Sequence, residues 1–290
     1  MKIKVFLLLL VLIAPLGIER SSAAVVNFPS ARSFSLFVPS NYSDATPAPL
    51  VIALSGYNES GADFERYLKL TPLAQSNGFL YVHPDGSKDI HGIRFWNGTP
   101  ECCDFQNPKV DDAKYIMNII SQVEAKYSVD INRIYIIGHS NGGFLANNLA
   151  CNYSDQIAAV INMAGGSYTK ASSCKPSSPI SVLEIWGTAD ETYTINHILG
   201  KPIPGALKIF SGWGAINHCD AITQNSPQKL DLDRKIAGAE TAVVQYQNCP
   251  AGTSIDFWRI VGGGHAPSLS PSFDSQIIAW LLNHPKSPTN

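Results

Sequence analysis

Short apolar runs alternate along the chain with longer stretches of helical periodicity. From Ser33 to Val38 apolar residues alternate, with Phe34, Leu36 and Val38 on one face, which predicts a half-buried strand. Leu50 to Leu54 reads Leu-Val-Ile-Ala-Leu without a break, as a strand covered on both faces would. Further strands are predicted over Phe79–Val82, Ile134–Ile137, Ala158–Met163, Ile180–Trp186, Ala242–Tyr246 and Ile255–Val261. Helical patterns cover Ala62–Ser76, Asp111–Tyr127, Asn141–Asn152, Ala206–His218 and Phe273–Leu282, the first stopped by Asn77-Gly78. Repeated strand-then-helix order predicts an α/β fold, a mostly parallel central sheet with helices on both faces. There is no internal repeat, and the Pro/Ser patch at Ser172–Pro179 is too short for a domain boundary. We therefore expect one domain over residues 24–290, with no appended binding module.

The amino terminus follows another logic. Lys2 and Lys4 precede an apolar run from Val5 to Leu16, and small residues cluster at Ser21, Ser22, Ala23 and Ala24. This is the layout of an export signal over residues 1–23, with cleavage after Ala23 or Ala24. The run is shorter than the ~20 residues of a membrane-spanning helix, although an amino-terminal anchor is the competing reading. Cleavage would leave about 267 residues and remove three cations and one anion, taking the net charge from −2 to −4. The expected mature protein is secreted or periplasmic, with no membrane segment.

Composition narrows the function. With 45% hydrophobic and 15% charged residues, a packed core outweighs disorder. A mildly acidic chain is no nucleic-acid binder by default. Six cysteines are too few for a disulfide-only scaffold, and they show no Cys-x-x-Cys or Cys/His spacing for zinc. No metal or organic cofactor is expected.

The sharpest chemical signal is Gly138-His139-Ser140-Asn141-Gly142, a G-x-S-x-G between a predicted strand and a predicted helix. That context is the nucleophile elbow, where a sharp turn presents a serine hydroxyl at the edge of a sheet. The hydroxyl needs a base to take its proton. His265, after Gly262-Gly263-Gly264 and the last predicted strand, stands where this fold class places its base, last in the chain order. Asp190, in Gly187-Thr188-Ala189-Asp190 after the strand Ile180–Trp186, suits the third role, holding the imidazole in one tautomer. An ordinary loop or capping aspartate is its other reading. Two backbone N–H groups should face the developing oxyanion: that of Asn141, after the nucleophile, and that of Tyr57 in the turn Ser55-Gly56-Tyr57.

Together the segments PLVIALSGYNESGADF, GFLYVHPDG, the FWN and CC of the next loop, VDDAKYI, IYIIGHSNGGFLANNLAC, IWGTAD and IVGGGHAP resemble the esterase family of polyhydroxybutyrate depolymerases and feruloyl and acetylxylan esterases. They run in the family's order from about Pro49 to Pro267. The resemblance implies an α/β-hydrolase fold and a Ser140–Asp190–His265 triad. Two departures stand out. The family's usual His-Gly is Ser55-Gly56 here, which bears on the oxyanion loop. Ala266-Pro267 replaces an aromatic that often follows the catalytic histidine, which bears on acyl preference. By the same resemblance, the loop holding Trp96 and Asn97 borders the cleft, so both are candidate substrate contacts, Trp96 being otherwise a packing residue.

Export favours disulfides. Cys219 and Cys249 flank a region resembling the family's late cysteine pair, and closing that loop should contribute roughly 3.6 kcal/mol on the chain-entropy account. Cys151 with Cys174 is the second candidate pair. Cys102 and Cys103 are left as a vicinal disulfide or two thiols. Asn41, Asn58, Asn97 and Asn152 open N-x-[ST] sequons, relevant only in a glycosylating source.

The expected function is a secreted serine esterase working through an acyl-enzyme on small or oligomeric esters of the hydroxyalkanoate, feruloyl or acetyl-polysaccharide type. A serine peptidase or acyltransferase on the same scaffold is the alternative enzyme. A non-catalytic exported binding protein is the alternative outside enzymes.

Overall fold

The computed structural model describes residues 22–30, 32–106, 109–194, 197–198 and 201–287. The expected export signal at residues 1–23, but for its last two residues, lies outside these.

A ten-stranded sheet forms the centre. Its parallel heart runs, in spatial order, β4 (Leu80–Val82), β3 (Ala48–Leu54), β7 (Val129–His139), β8 (Ala159–Met163), β9 (Ser181–Gly187) and β14 (Ile255–Ile260). Antiparallel strands extend both edges: β2 (Phe34–Val38) and β1 (Ala24–Phe28) beside β4, and β13 (Thr241–Tyr246) and β12 (Thr223–Asn225) beside β14. The heart is parallel because its apolar runs are covered on both faces, and only helical crossovers can cover both.

Helices α3 (Asp112–Glu124), α4 (Asn141–Asn152) and α6 (Ala206–Ile216) cover one face, and α1 (Gly61–Leu68), α2 (Thr71–Asn77) and α7 (Phe273–Leu282) the other, each over its own apolar cluster. Ile52, Ile136 and Ile161 have no exposed surface. Burial of each such side chain contributes about 1.5–3 kcal/mol before chain entropy is counted. Two short antiparallel strand pairs, β5 (Ser87–Lys88) with β6 (Arg94–Phe95) and β10 (His197–Ile198) with β11 (Lys201–Pro202), and the single turn α5 (Glu191–Thr194) lie outside this sheet.

Three differences from the sequence reading have local causes. The helix expected over Ala62–Ser76 is two helices. Pro72 cannot donate to the preceding turn and its ring would crowd the Leu68 carbonyl, so the chain breaks at Lys69, in the left-handed region at φ 53°. The Glu65 carboxylate collects the freed Leu70 and Thr71 N–H groups at 3.1 and 3.0 Å. Strand β7 begins at Val129, before the apolar run, because its first half is only partly buried and carries no continuous apolar signal. Edge strands β1 and β12 were not expected; four of the five residues of β1 and all of β12 face solvent at least in part, so neither leaves a buried-strand pattern.

Candidate active site

The parallel strands end together. Leu54 lies beside Gly138, His139 beside Met163, Met163 beside Ile185 and Gly187 beside Ile260. Their carboxyl ends therefore share one edge, where clefts form in α/β sheets. Tyr57, Ser140, Ala164, Asp190 and His265 all lie in the loops that leave this edge.

Ser140 sits between β7 and α4 with φ 52° and ψ −115°, a left-handed backbone that a serine adopts only when its surroundings impose it. Its N–H donates to Met163 O at 2.8 Å, and its carbonyl accepts from Phe144 N–H at 3.2 Å. A side chain at Gly138 would collide with the Gly142 carbonyl, and one at Gly142 with the Leu54 carbonyl. The two glycines of the motif thus let α4 press against β7 and β3 while the serine hydroxyl stands clear.

Ser140 Oγ lies 2.8 Å from His265 Nε2, and His265 Nδ1 lies 2.9 Å from Asp190 Oδ2. Asp190 is buried, its other oxygen accepting from the Thr192 N–H and hydroxyl, each at 2.8 Å. Burial pushes the Asp190 carboxyl up, but the His265 and Thr192 donors outweigh it and hold it below the usual carboxylate range. An anion therefore faces Nδ1, which keeps the proton there and leaves Nε2 free to accept from Ser140. The His265 backbone is held in turn: its carbonyl lies 3.0 Å from His139 Nε2. Burial drives the His139 pKa down to about 4, so that ring is neutral and donates through Nε2.

A cavity of about 370 Å³ opens at Ser140, lined by Phe105, Phe144, Trp186, Ile203 and His265 among others, and it is mostly apolar. Tyr57 and Asn141 also line it. The Tyr57 turn is braced from several sides. Glu59 Oε2 accepts the Gly56 N–H at 3.0 Å, Ser55 Oγ donates to the Glu59 carbonyl at 3.1 Å, and Trp96 Nε1 donates to the Ser55 carbonyl at 3.0 Å. Ser55 and Trp96 thus secure the loop without the histidine of the resembling family.

The structure does not bring Trp96 and Asn97 to the cavity. Trp96 has no exposed surface, and its backbone N–H and carbonyl pair with the Asn141 side chain at 2.7 and 2.8 Å. Its indole is spent on Ser55, so the ring is a packing post under the site. Asn97 is half-buried, with its N–H on Asp112 Oδ2 at 2.7 Å and its Nδ2 on the Val110 carbonyl at 2.8 Å. The loop does reach the cavity through Cys102 and Cys103, which share a disulfide across the cis peptide bond that links them. Cys151 is joined to Cys174 and Cys219 to Cys249, with Cα atoms 4.9 and 4.0 Å apart.

The apolar walls were not anticipated. Phe144 could have been found, being four residues after Ser140 on a helix and so on its face. Phe105 and Ile203 lie in irregular segments without periodicity, and Trp186 reads as an ordinary strand residue. Among the described residues there is no group of three or more His, Cys, Asp or Glu side chains able to hold a metal, and no helix long and apolar enough to cross a membrane.

Residues 32–197 match the family described as "Esterase PHB depolymerase". The chain is 30% identical over 238 residues to feruloyl esterase B of Piromyces equi, covering 79% of this chain and 41% of that protein. It is 25% identical over 263 residues to a bifunctional acetylxylan esterase/xylanase of Neocallimastix patriciarum, covering 89% of this chain and 35% of that protein. The chain thus spans well under half the length of these relatives. An acetyl xylan esterase from Aspergillus awamori superposes with a TM-score of 0.63 at 15% identity, over 90% of this chain and 99% of that one, a likeness of fold. By fold and by family match, the chain is an α/β-hydrolase and belongs to the PHB depolymerase esterase family.

Proposed function

We propose that this chain is an exported carboxylic-ester hydrolase with a serine mechanism, a single catalytic domain over residues 24–290 after removal of the signal at residues 1–23. The observation that carries the mechanism is the hydrogen-bonded series Ser140 Oγ, His265 Nε2, His265 Nδ1, Asp190 Oδ2, opening on an apolar cavity. Ser140 attacks the ester carbonyl as His265 takes its proton. The oxyanion of the tetrahedral intermediate is met by the Asn141 and Tyr57 N–H groups. His265 then protonates the leaving alcohol, and water, activated by the same imidazole, releases the acid and restores Ser140. Asp190 stabilises the imidazolium in both halves.

The cavity favours a sizeable acyl group. About 370 Å³ lies within the ~300–1,000 Å³ of sites that enclose a whole small molecule, and acetate would leave most of it unfilled. Phe105, Phe144 and Trp186 suit an aromatic acyl group such as feruloyl, the class named for the Piromyces relative. A hydroxyalkanoate is the next fit. Three disulfides accord with an oxidising compartment.

A fluorophosphonate probe tests the mechanism. The chain should be labelled, and Ser140→Ala should abolish labelling and reduce kcat at least about 10⁴-fold on p-nitrophenyl esters. A folded protein that is never labelled would overturn the serine mechanism. Methyl ferulate, p-nitrophenyl acetate and hydroxybutyrate oligomers then rank the acyl groups, with ferulate expected first in kcat/KM.

A further inference from the structure

Glu184 is a carboxyl in the middle of β9 with no exposed surface, and the mechanism above does not use it. Both hydrogen bonds to it arrive at one oxygen. Oε2 accepts from Trp186 Nε1 at 3.2 Å and from Asn162 Nδ2 at 2.7 Å. Oε1 is buried and has no partner among the described residues. An ionised carboxylate would leave a bare anionic oxygen there, whereas a neutral acid places its proton on Oε1 and keeps Oε2 as the acceptor.

The two donors each belong to the cavity wall. Trp186 lines it directly. Asn162 clasps the turn after β8 by both ends, accepting the Gly165 N–H at 3.0 Å and donating to the Gly165 carbonyl at 2.6 Å, and Ala164 and Gly166 of that turn line the same cavity. Among the described residues no charge opposes or assists the carboxyl. Its register partners on β8 and β14 are Asn162 and Phe257, and α4 and α6 over this face bring Asn147 and Trp213, bonded to each other at 2.9 Å. Burial accordingly pushes Glu184 up to about 8.

We propose that Glu184 is a positioning residue for the acyl pocket: as an uncharged acid it ties Trp186 and the Ala164–Gly166 turn into one wall, and its deprotonation destabilises that wall by placing a buried charge with an unpartnered oxygen behind it. The proposal rests on the reading of the cavity as an acyl site. It makes the pocket competent below the alkaline range and impaired above it, through a group that never touches substrate.

The test compares wild type with Glu184→Gln, which keeps the acceptor oxygen and cannot ionise. For p-nitrophenyl ester hydrolysis, corrected for spontaneous hydrolysis, the two should have kcat/KM within about threefold at pH 7, and wild type should fall about tenfold behind the variant by pH 9. A second readout needs no substrate. A folded-state pKa above the ordinary carboxyl value means that wild type loses stability as pH rises from the ordinary range through about 8, and the variant does not. The Tm of the variant should therefore gain on wild type by about 4 °C or more between pH 5 and pH 8.5. Parallel pH–rate profiles or a constant Tm difference would overturn the proposal. Glu184→Leu, which can accept neither donor, should lose about tenfold in kcat/KM at pH 7, and wild-type activity in that variant would also overturn it. A protein without esterase activity that still shows the Tm divergence would defeat the functional reading and leave Glu184 as the buried neutral post.

Discussion

Two carboxyls stand six positions apart at opposite ends of one problem. Asp190, in the loop after β9, and Glu184, in the middle of that strand, are both buried. Burial disfavours charge at each. Asp190 is nonetheless held as an anion, because His265 engages one oxygen and Thr192 the other with two donors. At Glu184 both donors crowd one oxygen and burial prevails. The difference teaches that burial and donors act together: Glu184 lies wholly inside the sheet with both donors on one oxygen, whereas Asp190 lies at the sheet edge with His265 on one oxygen and Thr192 on the other. A loop at the sheet edge can wrap a carboxylate with N–H and O–H groups, whereas a strand interior has spent its backbone donors on the ladder.

The sharpest way to break the contrast is to remove the anion and keep the shape. Asp190→Asn presents an amide to His265 Nδ1, which favours the wrong imidazole tautomer. We expect kcat on a p-nitrophenyl ester to drop about 10³–10⁴-fold with little change in Tm. A drop below about tenfold would mean that the charge on Asp190 contributes nothing beyond orientation.

His139 extends the comparison to a base. It is buried against Phe64, Tyr67 and His265, with centroids 5.2–6.1 Å apart, and burial lowers it to about 4. For a histidine depressed from 6.5 the sign is fixed: its contribution to stability is intact above the unfolded pKa and is lost as pH falls toward 4. The loss can reach about 3 kcal/mol at the acid end. His139→Gln retains an N–H for the His265 carbonyl and cannot take a proton. Urea unfolding at pH 7.5 and 4.5 should show the wild type losing more stability than the variant between the two. Equal losses would assign the acid sensitivity elsewhere.

How much of this is legible in the sequence follows from range. The strand LVIAL and the elbow Gly138-His139-Ser140-Asn141-Gly142 declare themselves locally, because periodicity and turn chemistry act over a few residues. Asp190 and His265 are found by chain order, and the shared strand ends bring them to Ser140. Trp96 misleads, because a tryptophan in a loop near cysteines reads equally as a wall or a post, and only the Asn141 side chain, 45 residues away, decides. Glu184 hides for the same reason. A glutamate inside an apolar strand signals that something unusual is buried, but its partners lie on a neighbouring strand and two residues along its own.

Thr192 tests the donor-sharing rule most finely. Its hydroxyl supplies one of the two donors to Asp190 Oδ1, and its backbone N–H supplies the other. Thr192→Val keeps the branched shape and the N–H and deletes only the hydroxyl. Losing one donor to a charged acceptor costs about 1.5 kcal/mol, so kcat/KM should fall by up to about tenfold at neutral pH. The Asp190 carboxyl, now less well held, should rise toward its ordinary value. A depressed carboxyl contributes stability above its unfolded pKa and loses it as pH falls, so the variant should begin to lose stability at a higher pH than wild type. If kcat/KM and the acid limb are both unchanged, the His265 contact alone keeps Asp190 ionised. The contrast with Glu184 would then reduce to a single partner, the imidazole, that one carboxyl has and the other lacks.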